Sequence, residues 1–141
     1  MKILLVNGPN LGRLGRRNPE IYGTTTLAEV VERAAKHAAE RESTLEAYQS
    51  NHEGALIDRL EQLDYDAVVI NPGALGHTSY ALRDAIEAIG RPAVEIHISD
   101  VRQREPFRQV LVLEDVVVGQ VIGHGVDGYL EAIDLLLDRA P

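Results

Sequence analysis

Short apolar runs alternate with helical patterns along this 141-residue chain, and that alternation restricts the fold more than any single motif. The runs KILLV (2–6), TLEAYQ (44–49), DAVVI (66–70), AVEIHI (93–98) and VVVGQVI (116–122) read as strands. Several are continuously apolar and rich in Val and Ile, as strands covered on both faces of a parallel sheet are. Between them, LAEVVERAAKHAAER (27–41), GALIDRLEQL (54–63), SYALRDAIEAI (79–89) and GYLEAIDLLLDRA (128–140) carry apolar residues at helical spacing. Thr26 with Glu29 three residues on has the pattern of a capping box, and Gly90 before Arg91–Pro92 marks a helix stop. A short helical piece near 105–110 is expected between the fourth and fifth strands.

Five strands alternating with helices predict an α/β fold, an open five-stranded parallel sheet with right-handed crossovers and helices on both faces. The flavodoxin-like order 2-1-3-4-5 is the natural choice for such units, although another doubly wound order fits the same pattern. No repeat or linker divides residues 1–141, so a single domain is expected. In this architecture ligands bind beyond the carboxyl ends of the strands, at the switch point between strands 1 and 3. NGPN (7–10), NPGALGHTS (71–79) and HIS (97–99) should therefore be neighbours. The loop from about residue 7 to 25 far exceeds the usual connection of about two to six residues, which suits a catalytic loop or lid.

Charge narrows the ligand. The net charge of −8 argues against nucleic acid as the main partner, since phosphate binding calls for clustered positive charge. Apart from Lys2 and Lys36, all of the 14 Lys and Arg residues are arginine. Arg13, Arg16 and Arg17 form one cluster, and Arg102, Arg104 and Arg108 another. Two arginine-rich loops on an acidic body suit a small anionic ligand; solvated charge or subunit salt bridges are the duller alternative. No apolar run is long enough for a membrane span, and the opening KILLV is too short for a signal peptide, so a cytoplasmic protein is expected.

Several chemistries drop out. There is no cysteine for a disulfide, metal or nucleophile site. Neither lysine lies near a strand end, and no G-x-S-x-G elbow occurs. Glu95 and His97 share a strand face but have no third metal ligand nearby in sequence, so no metal is expected. GHGVDG (123–128) has the spacing of a dinucleotide fingerprint, yet no strand follows it to carry the ribose-binding acid. Acid–base chemistry by Tyr and His remains, with Asn and Arg stabilising charge. A tyrosine, with a reference pKa of roughly 10, needs adjacent positive charge to act as a base near neutrality. Arg17, five residues before Tyr22, can supply it, and His97 can serve as the acid. Together they suit removal of a proton beside a carbonyl followed by loss of a hydroxyl. Tyr22 packing in its turn and His97 as a core histidine are the alternatives.

NGPNLGRLGRRNPEIYGTTTL, QSNHEGALID, NPGALGHTSYALRDA and VEIHISDVRQREPFR together resemble the type II 3-dehydroquinate dehydratases, in order and from about Ile3 to Leu137. The resemblance implies reversible anti elimination of water from 3-dehydroquinate, giving 3-dehydroshikimate through an enolate without cofactor or metal. By position, Tyr22 matches the base, Arg17 the transition-state stabiliser, Asn10 the residue that helps hold the enolate, and His97 the acid, oriented by Glu95. Asn71, His77, the Ile98–Ser99 backbone and Arg108 match the substrate-binding set, and Arg104 a support of the active-site loop. Asp84 matches a residue that reaches a neighbouring subunit's site. The family implies a homo-oligomer, a dodecamer of trimers.

Four positions depart from the family pattern: Asn18 where Glu is more frequent, Gly76 where a hydroxyl residue precedes His77, Asp100 where Asn is usual, and Leu111 at a commonly polar site. Asp100 adds negative charge beside an anion site, which Arg102 is expected to offset. Tyr48, Tyr65, Tyr80 and Tyr129 are expected to pack in the structure or at interfaces. Two other functions stay in view, a flavodoxin-like module binding flavin or another small ligand, and a non-catalytic member kept for assembly.

Overall fold

The computed structural model describes residues 1–139. Five parallel strands, β1 (Lys2–Asn7), β2 (Thr44–Gln49), β3 (Ala67–Asn71), β4 (Ala93–His97) and β5 (Gly119–Ile122), form one sheet in the order β2-β1-β3-β4-β5. Every neighbouring pair is parallel, as the apolar runs require. The helices are α1 (Pro19–Tyr22), α2 (Leu27–Glu40), α3 (Glu53–Leu60), α4 (Tyr80–Ala88) and α5 (Gly128–Arg139). Thr26 and Glu29 form both halves of the capping box that starts α2. The last expected residue of α5, Ala140, lies outside the described residues.

Side chains alternate across each strand, so the sheet divides the core in two. Ile3, Leu5, Val69, Val94 and Ile96 face Val30, Ala34 and Ala38 of α2 and Ala132, Ile133 and Leu136 of α5. Leu4, Val6, Val68 and Ile70 face Leu56 and Leu60 of α3 and Leu82 and Ile86 of α4. These strand residues are at most 1% exposed, and burying each such side chain stabilises the fold by roughly 1.5–3 kcal/mol. The same alternation sends Asn7 and Asn71 to the α5 side and Glu95 and His97 to the α4 side.

The segment 116–118, read as the start of the fifth strand, instead completes a 3-10 turn (Glu114–Val116) and a crossing into the sheet. Val116 and Val117 pack on the α3–α4 core, so their hydrophobicity serves packing rather than pairing. The piece expected near 105–110 is a 3-10 turn, Pro106–Gln109. GHGVDG opens α5 as a packing turn. A Cβ on Gly128 would lie 3.2 Å from Ile96 Cδ1, so a glycine lets the helix close on the sheet. No helix among the described residues is long and apolar enough to cross a membrane.

Candidate active site

The strand ends meet where the topology predicts. Asn7 and Asn71 are opposite one another in the β1–β3 register, and β4 ends beside them at His97. A cavity of about 100 Å³ opens there, lined by Asn10, Arg17, Tyr22, Asn71, His77, His97, Ile98, Ser99, Arg104 and Arg108 among others. Ten of the residues expected from the sequence thus share one cleft. Glu95 lies beneath it, fully buried. Asp84 does not belong to it: exposed on α4, it lines a separate surface groove with Ile57, Leu63, Ala85 and Ile89.

Tyr22 ends α1, a single helical turn hung over the cleft. Its hydroxyl accepts a hydrogen bond from Arg17 Nη2 at 3.2 Å and another from Arg104 Nη1 at 2.6 Å. The Arg17 guanidinium also lies over the ring, 4.4 Å from its centroid. Arg104 donates to Ser99 Oγ as well, at 3.3 Å within the loop after β4, while its bond to Tyr22 ties that loop to the one after β1. Sequence reasoning gave Arg104 only a supporting part, yet it makes the shorter bond to the phenol. Its position 82 residues from Tyr22 hid that contact.

The second cluster is built on β4. His97 Nε2 donates to Glu95 Oε2 at 2.6 Å, and Gln120 Nε2 donates to Glu95 Oε1 at 2.8 Å. Gln120 reaches it because the β4–β5 register sets Glu95 opposite Gln120. A fully buried carboxylate is costly unless its oxygens are paired, and here both are. With the Nε2 hydrogen held by Glu95, Nδ1 is the free nitrogen of His97. The His77 ring stacks on His97, centroids 5.7 Å apart. His77 Nδ1 lies 2.7 Å from Val110 O, and a carbonyl can only accept, so Nδ1 carries the proton. Burial pushes the His77 imidazole below its usual pKa, helped by the nearby His97 and Arg108, while the Val110 carbonyl opposes them. His77 is thus neutral near pH 7 and leaves Nε2 as an acceptor.

Second-layer residues went unnoticed in the sequence. Asn10 adopts a left-handed conformation (φ 71°) and its N–H donates to Asn51 Oδ1 at 2.9 Å. Gln49 Nε2 donates to Gly8 O at 3.1 Å, fastening the same loop. Both belong to a quoted motif block, but nothing local assigned them a task. Asn71 donates to Tyr129 Oη, a buried contact to the start of α5.

The departures have local reasons. Asn18 is left-handed (φ 39°), a conformation Asn tolerates well. A Cβ at Gly76 would come within 2.7 Å of Pro72 Cγ and 3.2 Å of Glu95 Oε2, so this chain has no room there for a larger side chain without a shift. The Asp100 carboxylate accepts from the backbone N–H of Arg102 at 3.1 Å rather than from its guanidinium. The Arg102 side chain instead lines another groove beside β5, so the expected offset of charge by Arg102 is not made. Asp100 caps the next 3-10 turn, because its short side chain reaches that N–H. Leu111 is buried, and nothing polar is asked of it.

The sequence as a whole matches the family model described as Dehydroquinase class II over residues 1–137. The chain belongs to this family. Among class II dehydroquinase relatives, the 3-dehydroquinate dehydratase of Anoxybacillus flavithermus is 52% identical over 140 residues, spanning 98% of this chain and 95% of that protein. A catabolic 3-dehydroquinase of Aspergillus oryzae is 50% identical over 134 residues, covering 94% of this chain and 88% of its own. The crystal structure of the type II dehydroquinase from Butyrivibrio crossotus superposes with a TM-score of 0.95 at 45% identity, covering 97% of each chain.

Proposed function

We propose that this chain catalyses the reversible anti elimination of water from 3-dehydroquinate, giving 3-dehydroshikimate, as in the shikimate pathway to aromatic amino acids. The observation that carries the reading is the Tyr22 hydroxyl held by two guanidinium groups in the same cleft as the Glu95-anchored His97. Charge-assisted donors aimed at one phenolic oxygen suit a group whose oxygen bears negative charge during the reaction.

In this mechanism Tyr22, as tyrosinate, takes a proton from the carbon beside the ketone, and the electron pair moves onto the carbonyl oxygen as an enolate. Asn10, fastened by Asn51, supports that oxygen through a bridging water. The enolate then re-forms the ketone and expels the hydroxyl from the next carbon, while His97 Nδ1 donates the proton that turns it into water. Tyr22 ends protonated and His97 neutral, and transfer of that proton back to His97 through solvent restores both. Asn71, His77, the Ile98–Ser99 backbone and Arg108 bind the carboxylate and remaining hydroxyls. The neutral His77 fits an acceptor's part toward a hydroxyl. In this reading no step calls on a metal or cofactor.

Assembly belongs to the same reading. The exposure of Asp84, away from its own cleft, supports its reaching a neighbouring copy's site within a trimer, four trimers making a dodecamer. Light scattering of the purified protein measures that mass directly.

The deciding experiment follows the absorbance of the conjugated enone after mixing with 3-dehydroquinate. Intact and EDTA-treated protein should turn over at equal rates, and Tyr22→Phe should lose about a thousandfold in kcat. Turnover unaffected by Tyr22→Phe overturns the mechanism; no turnover by folded protein overturns the function.

A further inference from the structure

Tyr129 has no part in the mechanism above, yet it is the most deeply buried tyrosine and lies under the cleft. It sits in the first turn of α5, 58 residues from Asn71 and 122 from Asn7. Its Oη donates to Asn7 Oδ1 at 2.7 Å and accepts from Asn71 Nδ2 at 2.8 Å. Asn7 and Asn71 face each other across β1 and β3 at the switch point, so one hydroxyl spans the two strand ends that open the site. On its other side Asn71 Oδ1 accepts from Gly73 N at 3.2 Å.

The directions of these bonds are fixed. An amide oxygen only accepts, so the Tyr129 proton points to Asn7, and the phenolic oxygen must receive a proton from Asn71. With Asn71 Oδ1 already on the Gly73 N–H, a flipped Asn71 would set donor against donor at Gly73 and lose its bond to Tyr129. Asn71 lines the cleft, and the second N–H of its amide, held in this one orientation, has no partner among the described residues. Burial pushes the Tyr129 phenol up, so the hydroxyl keeps its proton throughout the working pH range. Asn7 makes no other side-chain hydrogen bond among the described residues, and it does not line the cleft. Its use here is to take the Tyr129 proton.

We propose that Tyr129 is a positioning residue of the reaction: its hydroxyl, anchored on Asn7, locks the Asn71 amide so that a single donor is presented to bound 3-dehydroquinate. This rests on the dehydratase reading for the identity of the ligand, but the lock itself is a property of the unliganded protein.

Tyr129→Phe removes only the hydroxyl and keeps the ring that fills the core. The variant should raise KM for 3-dehydroquinate about tenfold and change kcat less than threefold at temperatures well below its Tm. Asn71→Ala should raise KM at least as much, and adding Tyr129→Phe to it should change KM no further, because Tyr129 acts only through Asn71. Side-chain amide NMR adds a readout free of substrate: the Asn71 Nδ2 resonances, identified by their loss in Asn71→Ala, should shift in Tyr129→Phe. A KM within twofold of the parent protein, or additive effects in the double variant, overturns the proposal. If the parent protein does not turn over 3-dehydroquinate, the dehydratase reading fails, and unchanged Asn71 amide resonances in Tyr129→Phe then overturn the lock as well.

Discussion

Tyr22 and Tyr129 stand at the same end of the same sheet, in opposite surroundings. Tyr22 is half-buried in the loop after β1, with its oxygen facing two guanidinium groups. Tyr129 is 1% exposed on α5, with its oxygen between two neutral amides. Positive donors around the first suit the role of base proposed for it. Burial and amide partners around the second keep its proton in place and turn the hydroxyl into a fixed strut. The residue type is the same, so the partners decide the chemistry.

Four measurements can break or sharpen that contrast. Exchange to phenylalanine comes first: Tyr22→Phe should cost about a thousandfold in kcat, whereas Tyr129→Phe should cost about tenfold in KM. Equal losses at both positions would erase the distinction. The arginines come next. Arg17→Ala and Arg104→Ala should each lower kcat by about a hundredfold, the scale of removing one charge-stabilising donor. A neutral Arg104→Ala would return the whole task to Arg17.

Gln120→Leu is third, with an expected loss of about 30-fold in kcat/KM, because it strips a donor from a fully buried carboxylate. If kcat/KM is unchanged, His97 alone suffices to hold Glu95.

The smallest effect concerns His77, which like Tyr129 is held in its uncharged form by burial. Its folded pKa is depressed, so the unfolded chain binds the proton more readily. The stability it contributes is present above the unfolded value near 6.5 and is lost as pH falls through the lower folded value. Thermal unfolding followed from pH 7 to 5 should show this fall, and His77→Gln should flatten it by at most about 1.4 kcal/mol per pH unit, one proton's worth. An unchanged slope would mean that another group drives the dependence.

Much of the site could be read from the chain because its parts lie in short segments at strand ends. Arg17 and Tyr22 are five residues apart, and Glu95 and His97 two, so loop and strand geometry alone make them neighbours. Gln120 and Asn51 received no role from the sequence, Tyr129 only one of packing and Arg104 only that of a loop support, for a common reason. Each acts on a residue at least 25 positions away, so no local pattern names its partner. Even the start of β5 was misplaced, because Val116 and Val117 are as apolar as a strand requires but spend that surface on the α3–α4 core.

By itself, then, the sequence determined the alternation of strands and helices, the cap at Thr26, the switch-point location of the cleft and the pairing of Arg17 with Tyr22. The alternation, the cap and the Arg17–Tyr22 pairing follow from periodicity and short spacing, which are local properties of a chain, and the place of the cleft follows from the fold class that the alternation implies. Which second guanidinium meets Tyr22, what holds the far oxygen of Glu95 and which way the Asn71 amide faces were decided only by the tertiary structure. Those contacts depend on strand register and on where α5 docks, and packing sets both across long separations that no local pattern records.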